Sequence, residues 1–332
     1  MIDLRSDTVT RPTPEMLETM LSANTGDDVY GEDPTVNELE QLAATMTGKQ
    51  AALFAASGTQ TNLLALMSHC QRGDEYIAGQ SAHTYLYEAG GGAVLGGLQP
   101  CPIAFNQAGE LPLEDIFKAI KPDDFHFAQT KLVCLENTQS GKVLSLDYLN
   151  KYSKLASEHG LNRHLDGARV FNAAVKLNCP VIDICQYFDS VSICLSKGLA
   201  CPIGSILVGD EAFIARARRL RKMLGGGMRQ AGILAAAGIY ALNNNINRLS
   251  QDHDNTMKIA ESLEHMGIGI EGSVETNMLF LDGSTDLQSL QQHLQSVNIK
   301  ISGNRWVFHQ DISEPDLETI IDACQSYVNA SS

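Results

Sequence analysis

The chain has 332 residues, 44% apolar and 19% charged, a balance that suits packed globular domains and excludes a disordered chain. Its 39 acidic residues outnumber its 24 basic ones, giving a net charge of −15, which a phosphate backbone or an anionic bilayer would repel. Nucleic-acid and membrane partners are therefore not expected, and the longest apolar run, residues 231–242, falls short of the roughly 20 residues a spanning helix needs.

The opening MIDLRSDTVT is charged from Asp3 onward and has no apolar segment of a secretory signal. The eight cysteines contain no CxxC pair, and Cys134 and Cys194 sit inside apolar strand-like runs, where a thiol acts as a small hydrophobe. Free thiols point to a cytoplasmic compartment.

In chain order, Asp33 as N-cap, Pro34 at the first helical position and Gly48 as a stop bracket a helix with Leu39, Leu42 and Met46 on one face. Residues 51–56 read as a strand, followed by the turn Ser57-Gly58-Thr59 and a helix carrying Leu63, Leu64, Leu66 and Met67. Further on, residues 132–135 are a buried strand and 146–158 a helix. Residues 161–165 form a strand ending at Asp166, 190–195 one ending at Ser196-Lys197-Gly198, and 204–208 another. Short apolar strands alternating with helices predict an α/β fold with a mostly parallel sheet covered on both faces. After about residue 246 the texture changes. A polar helix over 247–266 leads to strand candidates at 276–281, 300–302 and 305–308, and a last helix starts at Ser313 with Leu317, Ile320, Ile321, Cys324 and Val328 inward. The expected division is an N-terminal arm (1–20), a large domain (21–245) and a small α+β domain (246–332).

In parallel sheets, ligands bind beyond the carboxyl ends of the strands. Three polar features fall there. Ser57-Gly58-Thr59 opens a helix whose free N–H groups suit a phosphate, although such turns are ordinary caps as well. Asp166 can cap the next helix or hold the proton of a pyridine nitrogen, and Arg169 can hydrogen-bond a cofactor's ring oxygen, bind a substrate carboxylate or form a surface ion pair. Lys197, emerging from an apolar strand, is placed for partial desolvation and imine formation. The glycine-rich segment 225–229 reads equally as a flexible turn or as the means of bringing Arg229 to a phosphate, including that of a neighbouring subunit. No HExxH, GxGxxG, Walker A or GxSxG pattern occurs.

Together these blocks resemble the low-specificity L-threonine aldolases. The resemblance runs through the opening Leu4-Arg5-Ser6-Asp7-Thr8-Val9-Thr10 and the segment Gly26 to Pro34. It continues in Asp166-Gly167-Ala168-Arg169, Cys194-Leu195-Ser196-Lys197-Gly198-Leu199 and Gly225-Gly226-Gly227-Met228-Arg229-Gln230. It implies an aspartate-aminotransferase-like fold with a mostly parallel seven-stranded sheet in the large domain. It also implies a homotetramer with shared active sites, and cleavage of L-threonine and L-allo-threonine to glycine and acetaldehyde. The implied cofactor is pyridoxal 5′-phosphate, carried by Lys197 as a Schiff base with Asp166 at its ring nitrogen. Gly58, Thr59 and a partner's Arg229 would hold the phosphate. His83 would stack on the ring, Ser6, Arg169 and Arg305 would grip the substrate carboxylate, and His126 would approach the substrate hydroxyl. His83, His126 and water all remain open as the base. Gln139 stands where close relatives carry histidine, and Ser302-Gly303-Asn304 before Arg305 departs from the family pattern. Other enzymes of this fold, an aminotransferase or a β-eliminating lyase, would share Lys197 and Asp166. A protein that binds amino acids without turning them over is the alternative from outside catalysis.

Overall fold

The structure, a computed structural model, describes residues 1–331. Its strands in chain order are β1 (Ile2–Asp3), β2 (Ala51–Ala55), β3 (Glu75–Gly79), β4 (Gln99–Ile103), β5 (Thr130–Glu136) and β6 (Asn162–Asp166). They continue with β7 (Ser190–Cys194), β8 (Ser205–Gly209), β9 (Met278–Phe280), β10 (Ile299–Lys300) and β11 (Arg305–Val307). Seven of them form one sheet in the order β2-β8-β7-β6-β5-β3-β4. Every pair from β7 to β4 is parallel, and β8 alone runs against its neighbours β7 and β2.

The reason β8 is reversed is local. Parallel neighbours need a crossover of about a dozen residues or more, whereas only residues 195–204 separate β7 from β8. That short return holds Lys197. The chain doubles back tightly: Leu195 N–H donates to the Gly204 carbonyl at 3.0 Å, and Ala200 N–H to the Lys197 carbonyl at 2.8 Å. With β8 reversed, β2 again runs in the direction of β5, β6 and β7. The carboxyl ends of all four therefore open on one side, where Gly58 follows β2, Asp166 ends β6 and Lys197 follows β7.

The helix Pro34–Thr47 starts as its sequence predicts. The Asp33 carboxylate accepts from the N–H groups of Thr35 and Val36, and Gly48 ends it in the left-handed region at φ 67°. The main core buries Leu39, Phe54, Ile77, Val133, Leu165, Val191 and Ile206 between the sheet and its helices.

A second core gathers Leu279, Ile299, Trp306, Phe308, Leu317 and Ile320 from the C-terminal part, and it also includes Ile2 and Leu4. The first residues are thus not a free arm: β1 pairs in parallel with β10, Ile2 opposite Ile299. Apolar residues at the start of the chain gain burial only by adding to this small core. The strand expected at 300–302 accordingly sits one residue earlier, as β10. The strand expected at 276–281 shrinks to β9, because Asn277 turns its amide to Asp7 at 3.3 Å and to the Phe308 carbonyl at 3.0 Å. The polar helix is Leu249–His265 and the last helix Glu314–Ser331. No helix among the described residues is long and apolar enough to cross a membrane, and all eight cysteines are free.

Candidate active site

A cavity of about 650 Å³ opens at the carboxyl ends of the strands. Ser6, His83, Arg169, Lys197 and Arg305 line it, together with Tyr87, Glu136 and Gln139. Five residues singled out from the sequence, drawn from regions as distant as position 6 and position 305, therefore line one cavity. A larger cleft, about 970 Å³, lies where Arg5 and Arg11 face His309, and it holds none of the expected site residues.

Lys197 is half-buried, and its ammonium makes no hydrogen bond or ion pair among the described residues. Its charge is nonetheless felt by Asp7, which is fully buried, and by Glu136, which is half-buried in the cavity wall. Burial pushes Glu136 up to about 7, with the nearby Asp166 charge adding to the rise and the His83 N–H, donated at 2.8 Å, opposing it. Burial also works against Asp7, but the Arg169 guanidinium outweighs it and holds that carboxyl at about 2.

Asp166 ends β6 beside Lys197's strand. One of its oxygens accepts from Ala168 N–H at 3.1 Å, the other from the Asn62 amide at 2.8 Å. Asn62 donates its second hydrogen to Glu88 at 2.7 Å, and Glu88 meets His83 Nδ1 at 2.8 Å. Polar atoms of His83, Glu88 and Asp166 lie within 4.8 Å of one another. The hydrogen bond to Glu88 raises the His83 imidazole above its ordinary value, against the opposing effect of burial.

Gly58 and Thr59 begin the helix Gly58–His69 at the carboxyl end of β2, where Ser57 caps the turn by accepting from Gln60 N–H at 3.2 Å. Gly58 lies against β7: a Cβ there would sit 2.7 Å from Cys194 Sγ. The phosphate-type turn thus borders the strand that delivers Lys197. Ser6 caps a turn of its own, accepting from Thr8 N–H at 3.2 Å.

Two expected residues are elsewhere in the chain that carries them. His126 is exposed, with Nδ1 2.6 Å from Asp124, outside the cavity. Arg229 is exposed and paired with Asp27 at 2.6 Å. Conversely, Glu88, Asn62 and Glu136 were not singled out by sequence. The available signal was alternation: residues two apart on a strand share a face, so the register Glu136 opposite Asp166 puts a second carboxylate beside the first.

The residues present fit pyridoxal phosphate. An unpaired lysine near the Asp7 and Glu136 carboxylates, a carboxylate at the neighbouring strand end and an open helix start are the donor set that an aldehyde, a pyridine nitrogen and a phosphate require. Fold and cavity together define an aspartate-aminotransferase-like enzyme. Residues 3–285 match the beta-eliminating lyase family. The low specificity L-threonine aldolase of Escherichia coli K12 is 54% identical over 96% of this chain and 97% of its own. Low-specificity L-threonine aldolase 1 of Arabidopsis thaliana is 43% identical over 98% of this chain and 95% of its own. Among solved structures, the Leishmania major threonine aldolase matches with a TM-score of 0.85 at 22% identity, covering 99% of this chain and 100% of that one, a likeness of fold. The chain belongs to the low-specificity L-threonine aldolases within the beta-eliminating lyase family.

Proposed function

We propose that the chain cleaves the Cα–Cβ bond of L-threonine and L-allo-threonine, giving glycine and acetaldehyde, with pyridoxal phosphate held on Lys197. The observation that carries this reading is the unpaired Lys197 amine in a cavity shared with Arg169, Arg305 and His83. Pyridoxal phosphate supplies an electron sink for the breaking Cα–Cβ bond. Asp166 keeps a proton at the ring nitrogen, while Gly58 and Thr59 offer N–H groups to the phosphate. Arg305, which makes no ion pair among the described residues, binds the substrate carboxylate, with Arg169 and Ser6 alongside. His83 lines the cavity, and its bond to Glu88 strengthens it as the base that takes the β-hydroxyl proton, directly or through water.

His126 and Arg229 serve the site of a neighbouring copy in this reading, which supports a homotetramer with shared active sites. Their exposure, and that of Phe125 and Tyr87, accords with such an interface. The three-part division into residues 1–20, 21–245 and 246–332 is kept, with the first strand docked on the small domain. Free thiols favour the cytoplasm. The reaction belongs where threonine is degraded and glycine made.

The test is acetaldehyde release from both substrates, coupled to alcohol dehydrogenase, with Lys197→Ala alongside. Release by wild type and its loss in the variant support the reading. A yellow protein that releases none sinks it, with ammonia and an oxo acid as products pointing to β-elimination and dependence on an amino acceptor pointing to transamination.

A further inference from the structure

Beneath the helix Gly58–His69, β6 and β7 present a polar stripe in an otherwise apolar core. His164 and Asp166 are two residues apart on β6 and so share a face, and the parallel register sets them opposite Ser190 and Ser192. All four are buried. Asn62 and His69, two turns apart on the helix, cover them from above.

The hydrogen bonds here run in a single direction. The Asn62 amide nitrogen faces the Asp166 and Glu88 carboxylates, at 2.8 and 2.7 Å, so its oxygen must point the other way. That oxygen meets His164 Nε2 at 3.2 Å, which makes Nε2 the protonated nitrogen of a neutral ring. His164 Nδ1 then accepts from the Ser190 hydroxyl at 2.8 Å, and Ser190 Oγ accepts from His69 Nε2 at 2.7 Å. Every proton in the chain His69, Ser190, His164, Asn62 points toward Asp166. Such aligned dipoles polarise one another and stabilise negative charge at the end they face.

We propose that His164 is a positioning residue of the reaction. Acting through Asn62, it fixes the orientation of the Asp166 carboxylate, and so sets how firmly the proton on the cofactor's ring nitrogen is held. This rests on the reading of the site given above. A neutral ring is needed for the role, because an imidazolium would carry its own charge into the core and could not accept from Ser190. Burial supplies that condition, pushing His164 down to about 3 and His69 down to about 4. The charged groups around the chain are Asp189, Asp210 and Arg216 near His69, and Asp166 with Glu88 beyond Asn62. The acids at the far end raise His69 without matching the effect of burial.

The experiment compares wild type, His164→Leu, His164→Gln and Ser190→Ala as full-length proteins loaded with pyridoxal phosphate. Three quantities are read: the cofactor dissociation constant, the pH midpoint of the visible absorption band, and kcat with KM for L-threonine. His164→Leu leaves the Asn62 oxygen without a donor, so cofactor binding should weaken about tenfold and kcat fall by a similar factor, with KM within about twofold. The absorption midpoint should move. His164→Gln offers an amide N–H to Asn62 and should restore all three. Ser190→Ala removes only the outer link and should shift the midpoint less than His164→Leu; it carries the test if His164→Leu does not fold. Variants whose cofactor affinity and absorption midpoint match wild type, even with lowered thermal stability, would make the stripe purely structural and overturn the inference. Wild type that neither binds the cofactor nor releases acetaldehyde would overturn the reading of the site as well, so the two failures are told apart by the wild-type control.

Discussion

Arg169 clasps Asp7 with two hydrogen bonds, Nε to Oδ2 at 2.8 Å and Nη2 to Oδ1 at 2.6 Å. The pair is nearly enclosed, and it pins the N-terminal segment, whose first strand belongs to the small core, to the helix start that follows Asp166. An arginine committed in this way presents only its remaining nitrogen to the cavity. In the function proposed above, charge for a substrate carboxylate then comes mainly from Arg305, and Arg169 is held in place by Asp7.

Arg305→Ala should therefore raise KM for L-threonine by one to two orders of magnitude, as expected for loss of a charge-assisted contact worth about 1.5–3 kcal/mol, while cofactor absorbance is retained. Asp7→Asn should raise KM by less, about fivefold to tenfold, because Arg169 keeps its charge but loses its anchor. Steady-state kinetics on the two variants checks the order. An Asp7→Asn effect larger than that of Arg305→Ala would mean that Arg169 is the principal carboxylate contact.

The candidate site was legible in the sequence wherever a residue sat at an abrupt change of texture. Lys197, Asp166 and the Gly58 turn each follow an apolar strand, and the structure brings their strand ends to one side of the sheet. Ser6 and Arg305 came from resemblance alone, because nothing local marks either position; only the pairing of β1 with β10 and of β9 with β11 carries them to the cavity. Strand boundaries in the small domain were the least readable part, since β9 to β11 are short and shaped by contacts with distant segments. Asn62, Glu88 and Glu136 stayed hidden for a related reason: a buried polar residue is explained by its partner, and the partner is remote in sequence.

Glu136 gives a stability prediction with a definite sign. Its folded-state value, about 7, lies above the ordinary 4.5, so the folded protein holds a proton that the unfolded chain releases between those values. The contribution is fully present below about pH 4.5 and is lost as pH rises through 7. In the cofactor-free protein, Glu136→Gln should therefore gain on wild type by ~2–3 kcal/mol between pH 5 and pH 8. Urea unfolding at the two pH values measures it. An unchanged difference would show that the carboxyl is already ionised in the folded state.

His164 predicts the opposite slope. Burial holds its folded value near 3 against 6.5 in the unfolded chain, so the unfolded state binds the extra proton in between. Stability from this group is present above about pH 6.5 and drains away as pH falls toward 3. His164→Gln cannot titrate. The stability of wild type relative to this variant should fall by about 1.4 kcal/mol for each pH unit between roughly 6 and 4. Parallel unfolding curves at three pH values test it, and parallel pH dependences of the two proteins would refute it.

The contact between Gly58 and Cys194 yields a coupled pair of substitutions. A methyl group at position 58 would approach Cys194 Sγ to 2.7 Å, so Gly58→Ala should push the phosphate turn away from β7. The expected cost is about 1–3 kcal/mol of stability, together with weaker cofactor binding, because the turn and the Lys197 strand would no longer be in register. Cys194→Ala removes the sulfur and leaves a small void of its own. If direct crowding is the cause, the double variant should recover about 1 kcal/mol or more relative to the sum of the singles. Additive effects would instead place the need for glycine in the backbone of the turn. The cofactor dissociation constant, measured on the same four proteins, separates the cases: it recovers with stability under crowding and stays poor in the double variant if the backbone is responsible.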